Sequence, residues 1–270
     1  MLDLSIIIVS FNARLDLERC LESLHAAPPS AAHEIIVVDN RSTDGSAESV
    51  RRWTDVRLLE TGSNLGFARA NNIGIRASAG ANLLLLNSDT TVPPHAIDRL
   101  LNELRRHPDV AVVGPRLVDA AGRAELSFGR MIGPFNELRQ KILVRGQLRR
   151  QPIISTLVER LTRRLHSPDW VSGACLLVRR IDAESVGLFD ERYFLYTEDV
   201  DFCAAIRAGG RRILFTPDIE VVHARGRSAA SVSATREAYR RSRLAFYEKH
   251  HPGWAPVLRL YLRLRSERDR

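Results

Sequence analysis

Cysteines and long apolar runs are both scarce in this chain of 270 residues. The three cysteines, Cys20, Cys175 and Cys203, lie far apart and lack the spacing of a metal-binding motif. This pattern predicts reduced, buried thiols in a cytoplasmic protein, and neither a disulfide framework nor a zinc site. No apolar run approaches the length of a membrane span, and no basic segment precedes the first apolar run at Leu4. We therefore expect no transmembrane helix and no signal peptide.

Acidic residues are in the minority, and the resulting net charge of +8 is unevenly distributed. Residues 131–170 contain eight Lys and Arg against three acids, and residues 236–270 contain ten against four. Such segments attract the phosphates of nucleic acids or of anionic lipids. Neither segment contains a nucleic-acid-binding motif. This favours an anionic membrane surface as partner and argues against nucleic acid.

Apolar residues recur at helical spacing in both basic segments. In the first segment they are Ile154, Leu157, Val158, Leu161 and Leu165, and in the second they lie within 257–264. The spacing is typical of a basic amphipathic helix at the inner face of the cell membrane. It is equally typical of a helix that packs on the protein and turns its basic face to solvent.

The N-terminal half of the chain alternates apolar runs with segments of helical spacing. The predicted buried strands are 4–9, 34–38, 56–59, 83–86 and 110–113, the last ending at Gly114-Pro115. Uninterrupted apolar runs joined by helices predict an α/β fold with a mixed sheet that is mostly parallel in this half. In such sheets ligands bind beyond the carboxyl ends of the strands.

Polar residues follow three of these strands. They are Ser10 and Asn12 after the first strand, Asp39 after the second, and Asn87, Ser88 and Asp89 after the leucine run. Asp39 can accept a hydrogen bond from a ribose hydroxyl or from the N3–H of a pyrimidine, or it can form a turn. Asp89 suits a hard divalent cation that takes further ligands from a phosphate, or it caps a turn. The glycine fingerprint of a dinucleotide site is missing after the first strand.

Two further polar segments begin helices. The loop at 64–74 contains Asn64, Asn71 and Asn72, more amides than a helix cap requires, so part of it should contact a ligand. The segment 197–201 combines three acids at a predicted helix start, which can be simple dipole complements or catalytic groups.

In order and spacing, these motifs resemble those of family 2 glycosyltransferases with the GT-A fold. The resemblance rests on Asp39, Asn64-Leu65-Gly66-Phe67, Asn87-Ser88-Asp89, and the segments 169–174, 189–191, 196–201 and 223–228. The residues of these motifs are most similar to those of bacterial rhamnosyltransferases that act on polyprenyl-diphosphate-linked sugars. The resemblance implies a glycosyltransferase domain at 1–230 with a basic helical insertion at 131–168. A basic helical C-terminal extension follows at 231–270.

The resemblance also implies roles for single residues. Asp39 would bind the pyrimidine base, and Asp89 would hold Mg²⁺ or Mn²⁺ at the donor diphosphate, with His223 completing the metal site. Asp199 corresponds to the general base that deprotonates the acceptor hydroxyl. Asn87 stands where many relatives have the first Asp of a D-x-D motif, so one potential ligand is missing. The implied donor site is Ser10, Asn12, Asp39, Asn64, Asn71, Asn87, Ser88 and Asp89, and the implied acceptor site is Trp170, Ser172, Gly173 and Glu198.

Plainer structural roles are open for several of these residues. Trp170 is either a platform for a pyranose ring or a core residue. Glu198 and Asp201 either orient the base or complete the helix start. His223 is either a ligand or a histidine at a strand end.

The expected activity is inverting transfer of a sugar in cell-envelope polysaccharide synthesis. The favoured donor is dTDP-rhamnose, with a UDP-sugar as alternative, and the acceptor is a hydroxyl of a glycan or of a polyprenyl-diphosphate-linked glycan. A sugar-nucleotide pyrophosphorylase and a non-catalytic, membrane-associated nucleotide-sugar-binding module are the alternatives. The pyrophosphorylase should carry a glycine-rich, basic loop after the first strand, which Ser10-Phe11-Asn12 does not provide.

Overall fold

A computed structural model describes residues 2–224 and 232–268. Its strands are β1 (Leu4–Ser10), β2 (His33–Asp39), β3 (Val56–Glu60), β4 (Asn82–Asn87), β5 (Thr90–Thr91), β6 (Val110–Val118), β7 (Phe128–Gly129), β8 (Trp170–Val171), β9 (Cys175–Arg179) and β10 (Arg212–His223). Its helices are α1 (Arg14–Ala26), α2 (Ser46–Val50), α3 (Phe67–Arg76), α4 (Ala96–Arg106), α5 (Pro134–Leu148), α6 (Pro152–Leu161), α7 (Arg180–Ser185), α8 (Glu198–Ala208), α9 (Val232–His250) and α10 (Ala255–Arg268).

Eight strands form one mixed sheet in the order β3-β2-β1-β4-β9-β6-β10-β5. The strands β3, β2, β1 and β4 are parallel to one another. β9 is antiparallel to both of its neighbours, β4 and β6. The predicted α/β sheet with a mostly parallel N-terminal half is therefore confirmed.

Two apolar cores cover the two faces of this sheet. Because successive side chains of a strand point to opposite faces, Leu84 and Leu86 enter the core formed with α1 and α4. Leu83 and Leu85 enter the core formed with α3 and α8. All four leucines are buried. The polar residues that follow them are therefore held at the middle of the sheet edge.

The predicted end of the fifth strand at Gly114-Pro115 is wrong, since β6 continues to Val118. β9 pairs with β6 only at Val112 and Val113, so the missing N–H of Pro115 faces no strand on that side. Gly114 permits the close approach of Val171, whose side chain lies 2.7 Å from the position that a Cβ would occupy. Gly114 and Pro115 therefore do not end the strand. They mark the point at which β6 is no longer paired with β9 and continues beside β10.

The insertion helix α6 packs on the domain. Val158 is fully buried, and Ile154 and Leu161 pack against the core on the α8 face of the sheet. Leu165 lies beyond the end of the helix and is exposed, as is Leu157. For most of this apolar set, the structure therefore shows packing, the second of the two sequence alternatives.

The C-terminal helices also pack on the domain. Phe246 and Tyr247 of α9 and Leu258 of α10 form a third apolar core with Tyr193 and Val200. None of the helices within residues 2–224 and 232–268 is long and apolar enough to cross a membrane. All three cysteines are buried and unpaired, as predicted.

Candidate active site

The strand order brings the polar strand ends together. In the parallel register, Ser10 of β1 pairs with Asp39 of β2, and Val9 pairs with Asn87 of β4. The three carboxyl ends are therefore adjacent, which unites the predicted donor residues at one edge of the sheet.

Several donor-site candidates present unused acceptor atoms at this edge. Asp39 Oδ2 accepts a hydrogen bond from the Ser42 N–H at 2.9 Å. Its Oδ1, the Ser10 Oγ and the Asn71 Oδ1 are buried without a hydrogen-bond partner among the described residues. Buried polar atoms are rarely left unsatisfied, so a ligand that donates here is the simplest completion. Asp39 thus forms a turn and has one carboxylate oxygen without a partner among the described residues.

Other asparagines at this edge hold the loops together. Asn12 Oδ1 accepts from the Thr43 N–H at 2.8 Å. Asn64 Oδ1 accepts from Asn40 Nδ2 at 2.9 Å and from the Gly66 N–H at 3.1 Å. These oxygens have intramolecular partners, so Asn12 and Asn64 connect the loops around the site, and contact of their NH₂ groups with a donor stays a prediction. Asn40, which the motif comparison missed, belongs to the same set.

The loop at 64–67 also supports the segment that leads to the predicted base. The Phe67 N–H donates to the Phe194 carbonyl oxygen at 2.7 Å. Gly66 has a φ of +83°, and a Cβ there would lie 2.4 Å from the same carbonyl oxygen. Only glycine satisfies both conditions. Donor-side and base-side loops are therefore built against each other.

Asp89 and His223 meet because β5 pairs antiparallel with β10, with Thr90 opposite His223. His223 Nε2 lies 3.3 Å from Asp89 Oδ1, and its Nδ1 lies 3.1 Å from Glu125 Oε2. Burial lowers the pKa of His223, but hydrogen bonds and charges from Asp89 and Glu125 raise it to about 9. Sequence reasoning missed Glu125, a buried acid between the buried Ala124 and Leu126.

This cluster has the chemistry of a partial metal site. Asp89 offers a carboxylate, and Asn87 Oδ1 is buried without a partner in the part of the chain that the structure describes. The 3.3 Å between Asp89 Oδ1 and His223 Nε2 is an ion-pair separation, and two ligands of one ion, each about 2.1 Å from it, would lie at a similar distance. His223 would release its proton on binding the ion, because only a neutral imidazole is a ligand. Within 2–224 and 232–268 there is no group of three or more His, Cys, Asp and Glu arranged to hold an ion. A metal here would need further ligands from a diphosphate. Of the motif at 223–228, residues 225–228 lie outside the described residues.

Asp199 stands in the first turn of α8 with both carboxylate oxygens engaged. The Gly173 N–H donates to Oδ2 at 2.9 Å and the Val200 N–H donates to Oδ1 at 2.8 Å. Desolvation raises the pKa of Asp199, and these hydrogen bonds oppose the rise. A Cβ on Gly173 would lie 3.3 Å from the Asp199 Cβ, so glycine permits the close approach. Tyr196 and Thr197 enter the helix with φ values of 69° and 74°, a strained backbone typical of functional sites.

Glu198 and Asp201 differ in their surroundings. Glu198 is buried, and its Oε2 has no partner among residues 2–224 and 232–268. Burial, followed by the charge of Asp199, raises its pKa well above the usual range. Asp201 accepts hydrogen bonds from Tyr193 Oη at 3.1 Å, Lys249 Nζ at 2.8 Å and His250 Nε2 at 2.6 Å. Asp201 therefore anchors α9 to α8.

Trp170 is held by packing. Its Nε1–H donates to the Arg130 carbonyl oxygen at 2.9 Å, and its ring lies 2.7 Å from the position of a Cβ on Gly129. Ser172 Oγ accepts from the Ala174 N–H at 3.3 Å, which shapes the turn before β9. Phe194 and Tyr196 are exposed aromatic side chains just before Asp199. The motif at 196–201 includes Tyr196 without giving it a role, and Phe194 had no sequence signal beyond its proximity to that motif.

Comparison with known proteins agrees with this geometry. The profile of glycosyl transferase family 2 matches residues 5–185. The chain is 33% identical, over 97% of its length and 91% of the relative, to N-acetylglucosaminyl-diphospho-decaprenol L-rhamnosyltransferase of Mycobacterium tuberculosis. It is 25% identical, over 84% of its length and 70% of the relative, to dTDP-rhamnosyl transferase RfbF of Shigella flexneri.

A solved structure shows the same fold. The mannosyltransferase PcManGT from Pyrobaculum calidifontis, in complex with GDP-Man and Mn²⁺, has a TM-score of 0.64 and 20% identity, covering 96% of this chain and 70% of that one. The site and fold define a glycosyltransferase of the GT-A class. The chain belongs to glycosyltransferase family 2. This confirms the resemblance that the motifs predict and favours a transferase over a pyrophosphorylase.

Proposed function

We propose that this glycosyltransferase moves rhamnose from dTDP-rhamnose, with inversion, to a hydroxyl of a polyprenyl-diphosphate-linked sugar. The product would serve cell-envelope polysaccharide synthesis. The observation that carries the proposal is the similarity to the mycobacterial rhamnosyltransferase over nearly the whole chain. The name of that relative supports N-acetylglucosaminyl-diphospho-polyprenol as the acceptor class.

The donor nucleotide would bind at the carboxyl ends of β1, β2 and β4. Asp39 Oδ1 is an acceptor-only atom that fits the N3–H of a pyrimidine. Thymine and uracil share this edge, so the contact selects pyrimidines without separating dTDP from UDP. The neighbouring Ser10 Oγ and Asn71 Oδ1 can accept from ribose hydroxyls or water. Ser88 is buried beside this set and would contribute from the turn before β5.

Asp89 and His223 would hold Mg²⁺ or Mn²⁺ together with oxygens of the donor diphosphate. When bound, such an ion neutralises negative charge that develops on the departing diphosphate. Glu125 would fix the orientation and tautomer of His223 through Nδ1, as carboxylates behind histidine ligands commonly do. Asn87 would add a neutral amide oxygen in place of a second carboxylate.

Asp199 would act as the general base. Its backbone hydrogen bonds fix the carboxylate in one orientation, and the raised pKa makes it a better proton acceptor than a solvated Asp. The acceptor oxygen would lose its proton to Asp199 and form a bond to the anomeric carbon as the bond to the diphosphate breaks. Gly173 positions the base, and Glu198 lies behind it. Trp170 and the exposed Tyr196 are the two candidate platforms for the acceptor sugar.

A donor panel tests the proposal. The purified chain is incubated with a short-chain N-acetylglucosaminyl-diphosphoprenol and dTDP-rhamnose, UDP-N-acetylglucosamine, UDP-galactose or GDP-mannose, with and without a chelator. Mass spectrometry should detect one added deoxyhexose with dTDP-rhamnose, and the chelator should abolish it. Transfer from a UDP-sugar alone would refute the rhamnose assignment. Absence of transfer from every donor, with donor binding retained, would favour the non-catalytic alternative.

A further inference from the structure

Helix α5 has an exposed face that combines apolar and basic side chains. The exposed residues at helical spacing are Phe135, Leu138 and Ile142 with Arg139, Arg145 and Arg149. They recur at intervals of three and four residues, so they share one side of the helix, here named the α5 face. Phe135 is 82% exposed, although a phenylalanine at a helix start could easily be buried.

The only acid in the α5 sequence points away from this face. Glu137 is buried and pairs with Lys141, with Arg243 at 2.8 Å and with Tyr247 Oη at 2.9 Å. Its negative charge is therefore compensated inside the protein. The α5 face presents positive charge and apolar surface together, which a solvent-exposed helix does not require.

A second exposed apolar stripe lies on α10. Trp254, Val257, Leu260, Tyr261 and Leu264 are exposed at the start and along one side of α10, and we name them the α10 stripe. Leu258 and Leu262, on the other side of the helix, pack into the third core. Arg243 lies between the two helices, because it pairs with Glu137 on the buried side of α5 and its guanidinium lies 5.9 Å from the centre of the Tyr261 ring on α10.

We propose that the α5 face and the α10 stripe dock the enzyme on an anionic lipid bilayer. The basic residues would bind lipid phosphates, and Phe135, Ile142 and the stripe would insert at the interface. Aromatic and aliphatic side chains flanked by arginine are the chemistry of an interfacial helix, whereas base recognition in nucleic acids needs motifs that are absent from this chain's sequence. The proposal rests on the proposed function insofar as a lipid-linked acceptor explains why docking is useful.

The docking surface is physically connected to the base. α9 contacts Glu137 through Arg243 and Tyr247, and it contacts Asp201 through Lys249 and His250 one to two turns later. Asp201 lies two residues after Asp199 in α8. A bilayer against α5 and α10 would therefore be held at a fixed distance from the reacting group.

Vesicle co-sedimentation of the full chain tests the surface without donor or acceptor. The vesicles contain phosphatidylcholine alone or phosphatidylcholine with phosphatidylglycerol. Replacing Arg139, Arg145 and Arg149 by Glu should lower the partition coefficient for anionic vesicles at least roughly a hundredfold, at about a factor of five for each lost basic contact. The matched control replaces Arg52, Arg105 and Arg106, exposed arginines on other elements, by Glu and should bind within a few fold of wild type.

Insertion of the apolar side chains into the bilayer is measured separately. Trp254 fluorescence should be quenched by brominated anionic lipids, and Trp254→Phe should remove that signal. Phe135→Ser with Ile142→Ser should leave binding that salt abolishes, because insertion resists salt and charge attraction does not.

Distinct outcomes would overturn the proposal. These are equal binding by the α5 variant and its control, equal binding to neutral and anionic vesicles, or binding of duplex DNA in place of vesicles. Loss of transfer to the short-chain acceptor in the arginine variant would also overturn it, since it would make the α5 face part of the active site. Failure of vesicle binding with transfer intact leaves the proposed function standing.

Discussion

Replacing Asp199 by asparagine perturbs both the proposed base and its hydrogen bonds. In the wild type each carboxylate oxygen accepts a backbone N–H, from Gly173 and from Val200. An amide can accept only one of them and turns its NH₂ toward the other donor. Losing one such hydrogen bond to a charged group costs about 1.5–3 kcal/mol. Removing a desolvated carboxylate offsets part of that cost, so we expect unfolding free energy to change by no more than about 2 kcal/mol.

The catalytic effect should be larger than the structural one. A general base contributes about 10²–10⁴ in rate, or roughly 3–5 kcal/mol of barrier. The assay is transfer of rhamnose at saturating donor and acceptor, with dTDP affinity measured by calorimetry and stability by urea denaturation. We expect near-normal affinity, a folded variant and a rate lowered by two to four orders of magnitude.

The pH profile identifies the group that titrates. A base works when deprotonated, so wild-type transfer should fall as pH is lowered through a pKa above the usual 3.8 of an aspartate. That apparent pKa belongs to the Glu198 and Asp199 pair, because the two carboxyls interact. In Asp199→Asn this limb should disappear. Near-normal turnover, or a slow variant that keeps the limb, would refute Asp199 as the base and point to Glu198.

Four further predictions concern neighbouring residues. Asp89→Ala should abolish Mn²⁺-dependent dTDP binding in calorimetry with the fold intact, and unchanged metal dependence in this variant would contradict the metal site. Glu125→Gln should weaken metal affinity about 10–100-fold. Glu198→Gln should stabilise the protein by about 1–3 kcal/mol at neutral pH. The pKa of Glu198 is higher in the folded than in the unfolded protein. Its contribution to wild-type stability is therefore fully present below the unfolded-state pKa and is lost as pH rises through the folded-state pKa. The unfolding free energies of the two proteins should therefore converge in acid. Identical melting at neutral pH would contradict this. Asp201→Asn should lower the unfolding free energy by about 2 kcal/mol. The loss should be moderate for a hydrogen bond to a charged group, because Lys249 is partly exposed and can return to water. An unchanged urea midpoint would show that the contact of Asp201 with α9 is not needed for stability.

The sheet and its reactive edge could be predicted because one physical rule links them. A strand buried on both faces is apolar throughout, as in Leu83 to Leu86, and the polar residues that end it must lie at the sheet edge. Asp39 and Asp89 therefore stand out in the sequence. The order of motifs then identified the family, which the comparisons confirm.

Partners that depend on tertiary register could not be predicted in the same way. Glu125 contacts His223 across 98 positions of chain, through the pairing of β10 with β6 and β5. Nothing local distinguishes it from other acids. The same applies to the partners of Asn12 and Asn64, whose Oδ1 atoms accept hydrogen bonds from neighbouring loops. A side-chain amide next to a binding site can form hydrogen bonds to a ligand or to a neighbouring loop, and the two cases differ only in the tertiary structure around it.

The acidic motif at 198–201 shows why several acids in one turn cannot be ranked by sequence. Asp199 keeps its oxygens at a half-buried position, held by backbone donors. Asp201, half a turn on, points to the opposite side and meets Lys249 and His250 of α9. The C-terminal extension thus holds α8 by neutralising Asp201, on the side of the helix opposite Asp199. The positive charges of the two basic segments differ in their surroundings, since Lys249 of the extension compensates Asp201 inside the protein while Arg139 and Arg145 of α5 are exposed.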